Sequence, residues 1–484
     1  YKLCVHGEQS TAPKMGAVRN GRSPPPSTKF DAQPILTILP PMQRHLILTL
    51  LAIWLLLAAC VQQPQDNNPI PTAPVVQGTP TSIATPAVQT QPDSPTPTAV
   101  LTNTTRSLII WLPPEIAART PAGSDTFLNQ LSAVTADFPD LEIRVEQKAI
   151  SGQGGMLSYL RTGRSVVPDI LPDLIVLPTN QLSAALTDNL IYPMDGLLNA
   201  ALLEDLYPAA RNMAQIDEQI LGYPFALTDL GHLAYTTSAF TTTVPITWPD
   251  LLGLSAQSFL FPGAGRPGTT LALQMYLDAG GQLVNDVGQP SLQAEPLTQV
   301  LEQFNQGRSS GFIIAQSNSL ATIAEAWQLY NSGTATLVQT TADQLLLSQT
   351  GEQSTTSGFA PLPGLTDHLT PLVNGWAWAI STPDPAQQAL AIEVMTGLLN
   401  DTRLTEWSLQ SGILPARQSA FALWPQDDPY TLFLGQEMAV ARPFPATANT
   451  TIMGVLGNAL LDVLTQSKTP QAAAEEAAAT IMNN

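Results

Sequence analysis

Apolar strand-like segments alternate with helical segments at the start of the globular part, and this alternation restricts the possible folds more than any other feature. The segments, in chain order, are a strand over 107–112, a helix over 126–138, a strand over 141–145, a helix over 156–162 and a strand over 172–177. The first and third strands are continuously apolar, which is typical of parallel strands buried on both faces. The alternation predicts an α/β fold with a doubly wound sheet, whose ligands bind beyond the carboxyl ends of the strands.

The chain has 484 residues, whereas a single hydrophobic core stops growing at about 250 to 300 residues. We therefore expect two lobes and a tail. Later segments favour a second lobe of mixed type: helices over 271–277, 297–304 and 323–330, strands over 334–339 and 377–381, and an alanine-rich helix over 470–479.

Charge and the scarcity of cysteine and histidine exclude several classes of protein. The chain has 38 acidic and 19 basic residues, a balance that opposes binding to nucleic acid. Both cysteines, Cys4 and Cys60, precede the globular part, and only His232 and His368 lie within it. A zinc site needs three or four convergent ligands. We therefore expect no nucleic-acid partner, no disulfide framework, no metal centre and no cofactor.

Residues 42–59 have the layout of a secretory signal, with an apolar run over 46–57 and small residues before Cys60. The run is shorter than the ~20 residues that span a bilayer, which makes a permanent transmembrane helix the weaker interpretation. The final LAAC segment resembles the lipobox of bacterial lipoproteins, whose cysteine receives a diacylglycerol. This resemblance implies a lipid anchor at Cys60 on the extracytoplasmic face of the cell membrane. An ordinary signal peptide that ends before a cysteine is the alternative.

The regions on either side of the signal are interpreted as unstructured. Residues 1–41 precede a complete signal and indicate a leader or a mis-set start. Residues 60–106 are dominated by Pro, Thr, Gln and Ser, a composition that buries too little apolar surface to offset the entropy of ordering. They are expected to form a semi-extended tether, with an O-glycosylated stalk as the alternative.

Residues 263–268 fit the G-x-G-x-x-G pattern of dinucleotide-binding turns, and Asp286 follows about 20 residues later. The apolar triplet before the motif is short and ends at Pro262, and export would separate the protein from the nicotinamide pool. We therefore interpret the motif as a turn before a helix, with backbone amides near a ligand. Dinucleotide binding is the alternative.

Eight segments follow an order and spacing that belong to a known family. They are LIIWLPP, FPDLEIRVE, PDLIVLP, ILGYPFALTDLGHLAYT, ITWPDLL, YLDAGGQLVND, VNGWAWAIS and SGILPARQSAF. Together they resemble the extracellular solute-binding proteins of the maltose-binding type. The resemblance implies a two-lobed, periplasmic-binding-protein-like fold of type II, a monomer that captures a small solute, and delivery to the permease subunits of an ABC importer. The segment after Thr336 departs from the family pattern and leaves the solute undefined.

The resemblance also implies three hinge crossings between the lobes, near Asp229, Leu365 and Ile413. These crossings define the expected domains: lobe 1 is 107–228 plus 365–413, and lobe 2 is 229–364 plus 414–484. A sugar is the expected solute, although peptides, polyols and phosphoesters stay open. The few lysines and arginines at matched cleft positions argue against a strongly anionic ligand.

A sugar site needs a flat aromatic surface and short polar side chains. Trp376 and Trp378 alternate with Ala377 and should share one face of a strand, and the family resemblance implies that this strand begins at the cleft. The polar candidates follow strands or precede this one, and helix capping or core packing is the alternative role for each. They are Glu115, Thr179, Asn180, Thr228, Asp229, Thr341 and Asn374.

No G-x-S-x-G elbow, catalytic cysteine or H-E-x-x-H motif occurs in the sequence, and we expect no enzyme activity. A secreted glycoside hydrolase needs only two carboxylates and is the second hypothesis. A non-catalytic scaffold lipoprotein is the third.

Replacing Cys60 with Ser should release the protein from the membrane, because the hydroxyl does not accept the lipid. Fractionation of cells that express the parent and Cys60→Ser measures this directly. Continued membrane association of the variant would rule out the anchor at this residue.

Overall fold

The computed structural model describes residues 106–152, 154–167, 170–216, 218–240, 243–254, 256–349 and 357–483, all within one compact unit. The leader, the signal, Cys60 and the tether up to residue 105 lie outside the described residues. Within the described ranges, no helix combines the length and the apolar character that crossing a bilayer requires.

Thirteen strands are described. They are β1 (Arg106–Leu112), β2 (Leu141–Gln147), β3 (Leu174–Pro178), β4 (Gln215–Ile216), β5 (Gln219–Ile220), β6 (Tyr223–Thr228), β7 (Gly231–Thr236), β8 (Phe259–Leu260), β9 (Leu337–Thr341), β10 (Ser357–Ala360), β11 (Leu372–Ile380), β12 (Leu414–Pro415) and β13 (Arg442–Pro443).

Seventeen α-helices connect and cover the strands in the described part of the chain. They are α1 (Pro114–Ala117), α2 (Pro121–Ala136), α3 (Met156–Gly163), α4 (Leu182–Thr187), α5 (Ala200–Glu204), α6 (Pro208–Ala214), α7 (Trp248–Leu252), α8 (Arg266–Asp278), α9 (Ala294–Ser310), α10 (Ile323–Asn331), α11 (Ala342–Gln349), α12 (Pro385–Leu398), α13 (Asp401–Ser411), α14 (Gln418–Ala422), α15 (Pro429–Val440), α16 (Thr450–Leu464) and α17 (Pro470–Met482).

The larger sheet has the order β12-β6-β11-β3-β1-β2, and β13 pairs with the start of β11. Strand β1 runs parallel to β2 and β3, which confirms the predicted β-α-β-α-β start, and β11 runs antiparallel to β3 and β6. The central strands of this larger sheet are buried on both faces. Along β11, Trp378 belongs to one core cluster, against which Trp376 also packs, while Ala377 and Ala379 belong to another. The predicted common face of the two tryptophans is thus confirmed.

The smaller sheet has the order β10-β7-β9-β8 and carries the second lobe. Its core is built around Trp248, which is fully buried and has ring centroids 5.6 Å from Phe259 and 5.3 Å from Phe304. Helix α7 starts at Trp248 because the hydroxyl of Thr247 accepts a hydrogen bond from the Asp250 amide. Helices α8, α9, α16 and α17 pack together beside this sheet.

The chain passes between the two sheets at positions that differ in part from those expected. The first crossing is Asp229, between β6 and β7. The second lies later than Leu365, because Leu369 still packs in the core of the smaller sheet whereas Val373 packs in that of the larger.

The third crossing is not near Ile413. Residues 413–416 are apolar or small and buried, and β12 extends the larger sheet beside β6. The chain then forms α15, whose Tyr430 and Phe433 pack against Phe359 of the smaller sheet, and it pairs again with the larger sheet at β13 before it reaches α16. We therefore propose that lobe 1 is 107–228 plus 371–443, and that lobe 2 is 229–370 plus 444–484.

The turn before α8 holds Gly263 and Gly265 of the G-x-G-x-x-G pattern, and the first turn of α8 holds Gly268, all for steric reasons. A Cβ on Gly265 would lie 1.8 Å from the carbonyl oxygen of Ala321, and one on Gly268 would lie 2.4 Å from that of Pro262. The turn is thus pressed against the segment that follows residue 317, and backbone approach explains the glycines without a bound dinucleotide.

Gly265→Ala should lower the free energy of unfolding by about 1 to 3 kcal/mol, the usual effect of overpacking. Gly454→Ala is the matched control, because Gly454 lies inside α16 with no atom within 4 Å of its ideal Cβ. There alanine should raise the free energy of unfolding by about 1 kcal/mol, since glycine is a poor helix former. Urea unfolding curves measure both changes, and equal stability of Gly265→Ala and the parent would contradict this account.

Candidate functional site

Two adjoining cavities lie where the carboxyl ends of β3 and β6 and the start of β11 face lobe 2. Their volumes are about 1150 Å³ and about 190 Å³. Both are lined by Thr179, Asn180, Arg266 and Asn374. The position agrees with the rule that ligands of such sheets bind beyond the carboxyl ends of the strands.

The smaller cavity gathers six of the residues that the sequence singled out. They are Thr179, Asn180, Thr228, Asp229, Asn374 and Trp376. Strand pairing brings them together: Asn374 lies opposite Thr228, and Trp376 lies opposite Pro178 on the other side of β11. The ends of β3 and β6 and the start of β11, which are far apart in sequence, therefore meet at this cavity.

Asp229 has two roles at this point. It is the crossing residue between β6 and β7, and its φ of 63° lies in the left-handed region that few residues other than glycine adopt. Its carboxylate accepts a hydrogen bond of 2.8 Å from the side-chain amide of Asn374. The first hinge and the cavity wall thus share one residue, and its carboxylate is oriented by β11.

The larger cavity is lined mainly by neutral amides and by apolar side chains. The amides are Asn180, Asn212, Gln215, Asn374, Asn449 and Asn458. Each amide offers both donors and an acceptor, as a solute with many hydroxyl groups requires. Met213, Ile216, Phe444 and Met453 supply the apolar part of the wall.

Two arginines on the cavity wall were not predicted. The guanidinium of Arg266 lies over the ring of Phe444, 4.8 Å from its centroid, and Arg442 lines the larger cavity from β13. Among the described residues they are the two cationic side chains on the cavity walls, so such side chains are few but not absent. The glycine motif was the one local signal for Arg266, because it marked this turn as a place where the backbone approaches a ligand. Nothing in the local sequence singled out Arg442 or Phe444.

Three predicted residues lie away from both cavities. Glu115 is exposed in the first turn of α1, because a helix begins at Pro114 directly after β1. Trp378 is 2% exposed and packs against Phe225 in the core, with ring centroids 5.5 Å apart. The hydroxyl of Thr341 accepts a hydrogen bond from the Gln344 amide at the start of α11. The first residue is a surface residue and the other two have structural roles.

An ion pair joins the lobes beside the hinge. Arg119, which follows α1 in lobe 1, lies 3.2 Å from the carboxylate of Asp343 in α11 of lobe 2. The same guanidinium donates to the carbonyl oxygens of Ser411 and Gly412. Burial raises the pKa of Asp343 to about 7, and Arg119 offsets only part of that effect.

The residues around the cavities do not form a metal site. In the described ranges, no group of three or more His, Cys, Asp or Glu side chains has the arrangement to hold a metal ion.

Comparison with known proteins gives the family. A sequence profile of the bacterial extracellular solute-binding protein family matches residues 131–431. This is more than half of the chain. The chain belongs to this family. No protein with a curated description matches its sequence.

Solved structures have the same two-lobed fold as this solute-binding protein. The cyclic α-maltosyl-1,6-maltose binding protein from Arthrobacter globiformis is 16% identical with a TM-score of 0.63, and the match covers 78% of this chain and 99% of that one. The maltose-binding periplasmic protein from Listeria monocytogenes, solved with maltose, is 15% identical with a TM-score of 0.63, covering 78% and 98%. A maltose-bound protein of T. maritima is 15% identical with a TM-score of 0.61, covering 78% and 99%. Identities this low establish the fold alone.

The structure of this solute-binding protein predicts a pH dependence of stability. The carboxyl of Asp343 has a pKa of about 7 in the folded state, against about 3.9 for an unperturbed Asp. Folding therefore favours its protonated form, so its contribution is complete below about pH 4 and is lost as the pH rises to about 7. At pH 8 the free energy of unfolding of Asp343→Asn, measured by urea unfolding, should therefore exceed that of the parent by on the order of 1 to 3 kcal/mol.

Glu437 needs a parallel variant, because burial also raises its pKa to about 7. Glu437→Gln should weaken the dependence of the free energy of unfolding on pH over the same range. The double variant should show a weaker dependence than either single variant. If urea unfolding at pH 5 and pH 8 gave the parent's pH dependence for both single variants, the assignment would be wrong.

Proposed function

We propose that this solute-binding protein captures a carbohydrate in the cleft between its lobes and delivers it to the permease subunits of an ABC importer. The observation that carries the proposal is the smaller cavity, where the partly buried Trp376 borders Asp229 and Asn374. A pyranose ring has an apolar face and a rim of hydroxyls, and an aromatic surface beside a carboxylate and an amide matches both.

The composition of the larger cavity supports the same solute class. Amide side chains on its wall come from both lobes: Asn180 and Asn212 from lobe 1, Asn449 and Asn458 from lobe 2. Hydrogen bonds from both sides would form fully only when the lobes close. A solute that bonds to both walls therefore favours the closed state by its differential affinity for the two states.

In the part of the chain that the structure describes, the walls of the two cavities do not carry the pair of carboxyl groups that a glycoside hydrolase uses. Such an enzyme requires two carboxyl groups about 5 to 10 Å apart on either side of the scissile bond. Among the described residues, Asp229 is the single carboxylate on the walls of the two cavities. This observation favours binding without turnover. Several solved structures with this fold are maltose- or maltodextrin-binding proteins, among them one with bound maltose and one with bound maltotetraose.

The anchor and the tether complete the proposal. Lipid attachment at Cys60 would keep the protein at the extracytoplasmic face of the membrane, and the tether 60–106 would let the lobes reach a permease at roughly 3 Å per residue. No Walker A sequence occurs in the chain, so the energy for import would come from a separate ATPase.

A thermal-shift screen of the full chain over mono- and oligosaccharides, polyols and peptides tests the solute class. A ligand that binds only the folded state raises the melting temperature, and we expect the shift with saccharides. Trp376→Ala should abolish that shift, because the ring supplies the apolar surface. Tyr159→Ala is the control: Tyr159 is 48% exposed in lobe 1 and lies on neither cavity wall.

Each outcome of the screen has a definite meaning. A shift with peptides and none with sugars would refute the carbohydrate class while keeping solute capture. Loss of the saccharide shift in Tyr159→Ala as well as in Trp376→Ala would refute the site. Release of shortened sugar during incubation would identify a hydrolase.

A further inference from the structure

The charge of the larger cavity is opposite to that of the whole chain. The chain has twice as many acidic as basic residues, 38 against 19. The described residues on the wall of the larger cavity include Arg266 and Arg442 but no aspartate or glutamate. Asp229 borders only the smaller cavity. A cationic region inside a strongly acidic protein attracts an anionic ligand group, and low-dielectric walls focus that attraction.

Both arginines have unused donors. Their side chains form no hydrogen bond or ion pair with any residue that the structure describes, and both are exposed to the cavity solvent. By contrast, Arg119 and Arg417 are each held by carboxylates. A guanidinium has five N–H donors and no acceptor, so these two arginines offer charged hydrogen-bond donors to a ligand in the cleft.

The geometry of Arg266 is suited to an anion. Its guanidinium forms a cation–π contact with Phe444, 4.8 Å from the ring centroid. The contact restrains the long side chain and uses none of its N–H donors, which stay free for bidentate bonding to a carboxylate. Arg266 is also the first residue of α8, a 13-residue helix. A cation at that end opposes the helix dipole, so local stability does not account for an arginine there.

We propose that the larger cavity binds the anionic group of an acidic saccharide, through Arg266 and Arg442. This inference rests on the proposed carbohydrate function and refines it. The neutral end of the saccharide lies against Trp376 and Asp229 in the smaller cavity, and its carboxylate or other anionic substituent lies in the larger one. Arg266 lines both cavities, Arg442 lines only the larger one, and the Asp229 carboxylate borders only the smaller one. An anionic group in the larger cavity can therefore reach both arginines without lying beside Asp229, which favours one orientation of the ligand.

Isothermal titration of the full chain with two trisaccharides tests the proposal. One is built of hexuronate units, and the other is its neutral hexose counterpart with the same linkage. We expect the acidic trisaccharide to bind about tenfold more tightly or better, since charge-assisted hydrogen bonds are roughly twice as strong as neutral ones. The preference should weaken when the salt concentration is raised, because salt screens exposed charges.

The variants use the ratio of the two affinities as their readout. Arg266→Gln and Arg442→Gln should each lower the ratio of acidic to neutral affinity by about tenfold. Arg144→Gln is the control for net charge: Arg144 is exposed on β2 of lobe 1 and pairs with Glu146, so the ratio should stay within about twofold of the parent. An equal loss in Arg144→Gln would indicate a bulk charge effect and overturn the assignment.

The remaining outcomes separate the two proposals. Equal or weaker binding of the acidic trisaccharide, with Trp376-dependent binding of the neutral one, would overturn the inference and leave the carbohydrate function intact. If neither trisaccharide binds, both the inference and the proposed carbohydrate function on which it rests would be overturned. Inorganic phosphate that binds as tightly as the acidic trisaccharide would also overturn it, because the site would then recognise an anion without its saccharide.

Discussion

Strand β11 is the element on which both the larger sheet and the cleft depend. It is hydrogen-bonded to β3 along one edge and to β6 along the other, so its backbone has no free edge over most of its length. Its later residues are buried on both faces, whereas its start, at Asn374 and Trp376, reaches the cavities. Burial of the far half of the strand therefore fixes the position of the two side chains at the near end. Preorganisation of this kind reduces the ordering that a ligand must bring about.

The hinge and the binding wall are connected through one contact. Asp229 has a left-handed backbone conformation between β6 and β7, and the amide of Asn374 on β11 holds its carboxylate. A ligand that competes for this carboxylate, or that adds a second donor to it, acts at the residue about which the first crossing turns. The ion pair of Arg119 with Asp343 spans the lobes nearby. The proposed solute site, the first crossing and an ion pair between the lobes thus lie within a few side chains of one another.

The charge on the wall of the larger cavity differs in sign from the net charge of the chain. The acidic excess of the chain has no counterpart on the wall of the larger cavity, where the charged side chains among the described residues are Arg266 and Arg442. Arg266 and Phe444, which form a cation–π contact, belong to segments almost 180 residues apart. Their contact exists because α8 and the segment before α16 pack side by side in lobe 2, and it gives the cleft an electrostatic polarity that average composition conceals.

The sequence alone determined the class of fold and much of one cavity. Local periodicity identified the early strands and helices, and residues directly after β3 and β6 were found because they follow predicted strands, at whose carboxyl ends ligands bind. The residues at the start of β11 were found through the family resemblance. Local reasoning failed at Glu115, where a helix starts directly after the strand. The crossing that the resemblance implied near Ile413 does not fit the structure, because buried apolar residues there extend the larger sheet. The second wall of the cleft, with Arg266, Arg442 and Phe444, was decided only by tertiary structure. Periodicity records which face of an element is buried, whereas a cleft wall consists of side chains that face solvent and meet only when distant segments pack together.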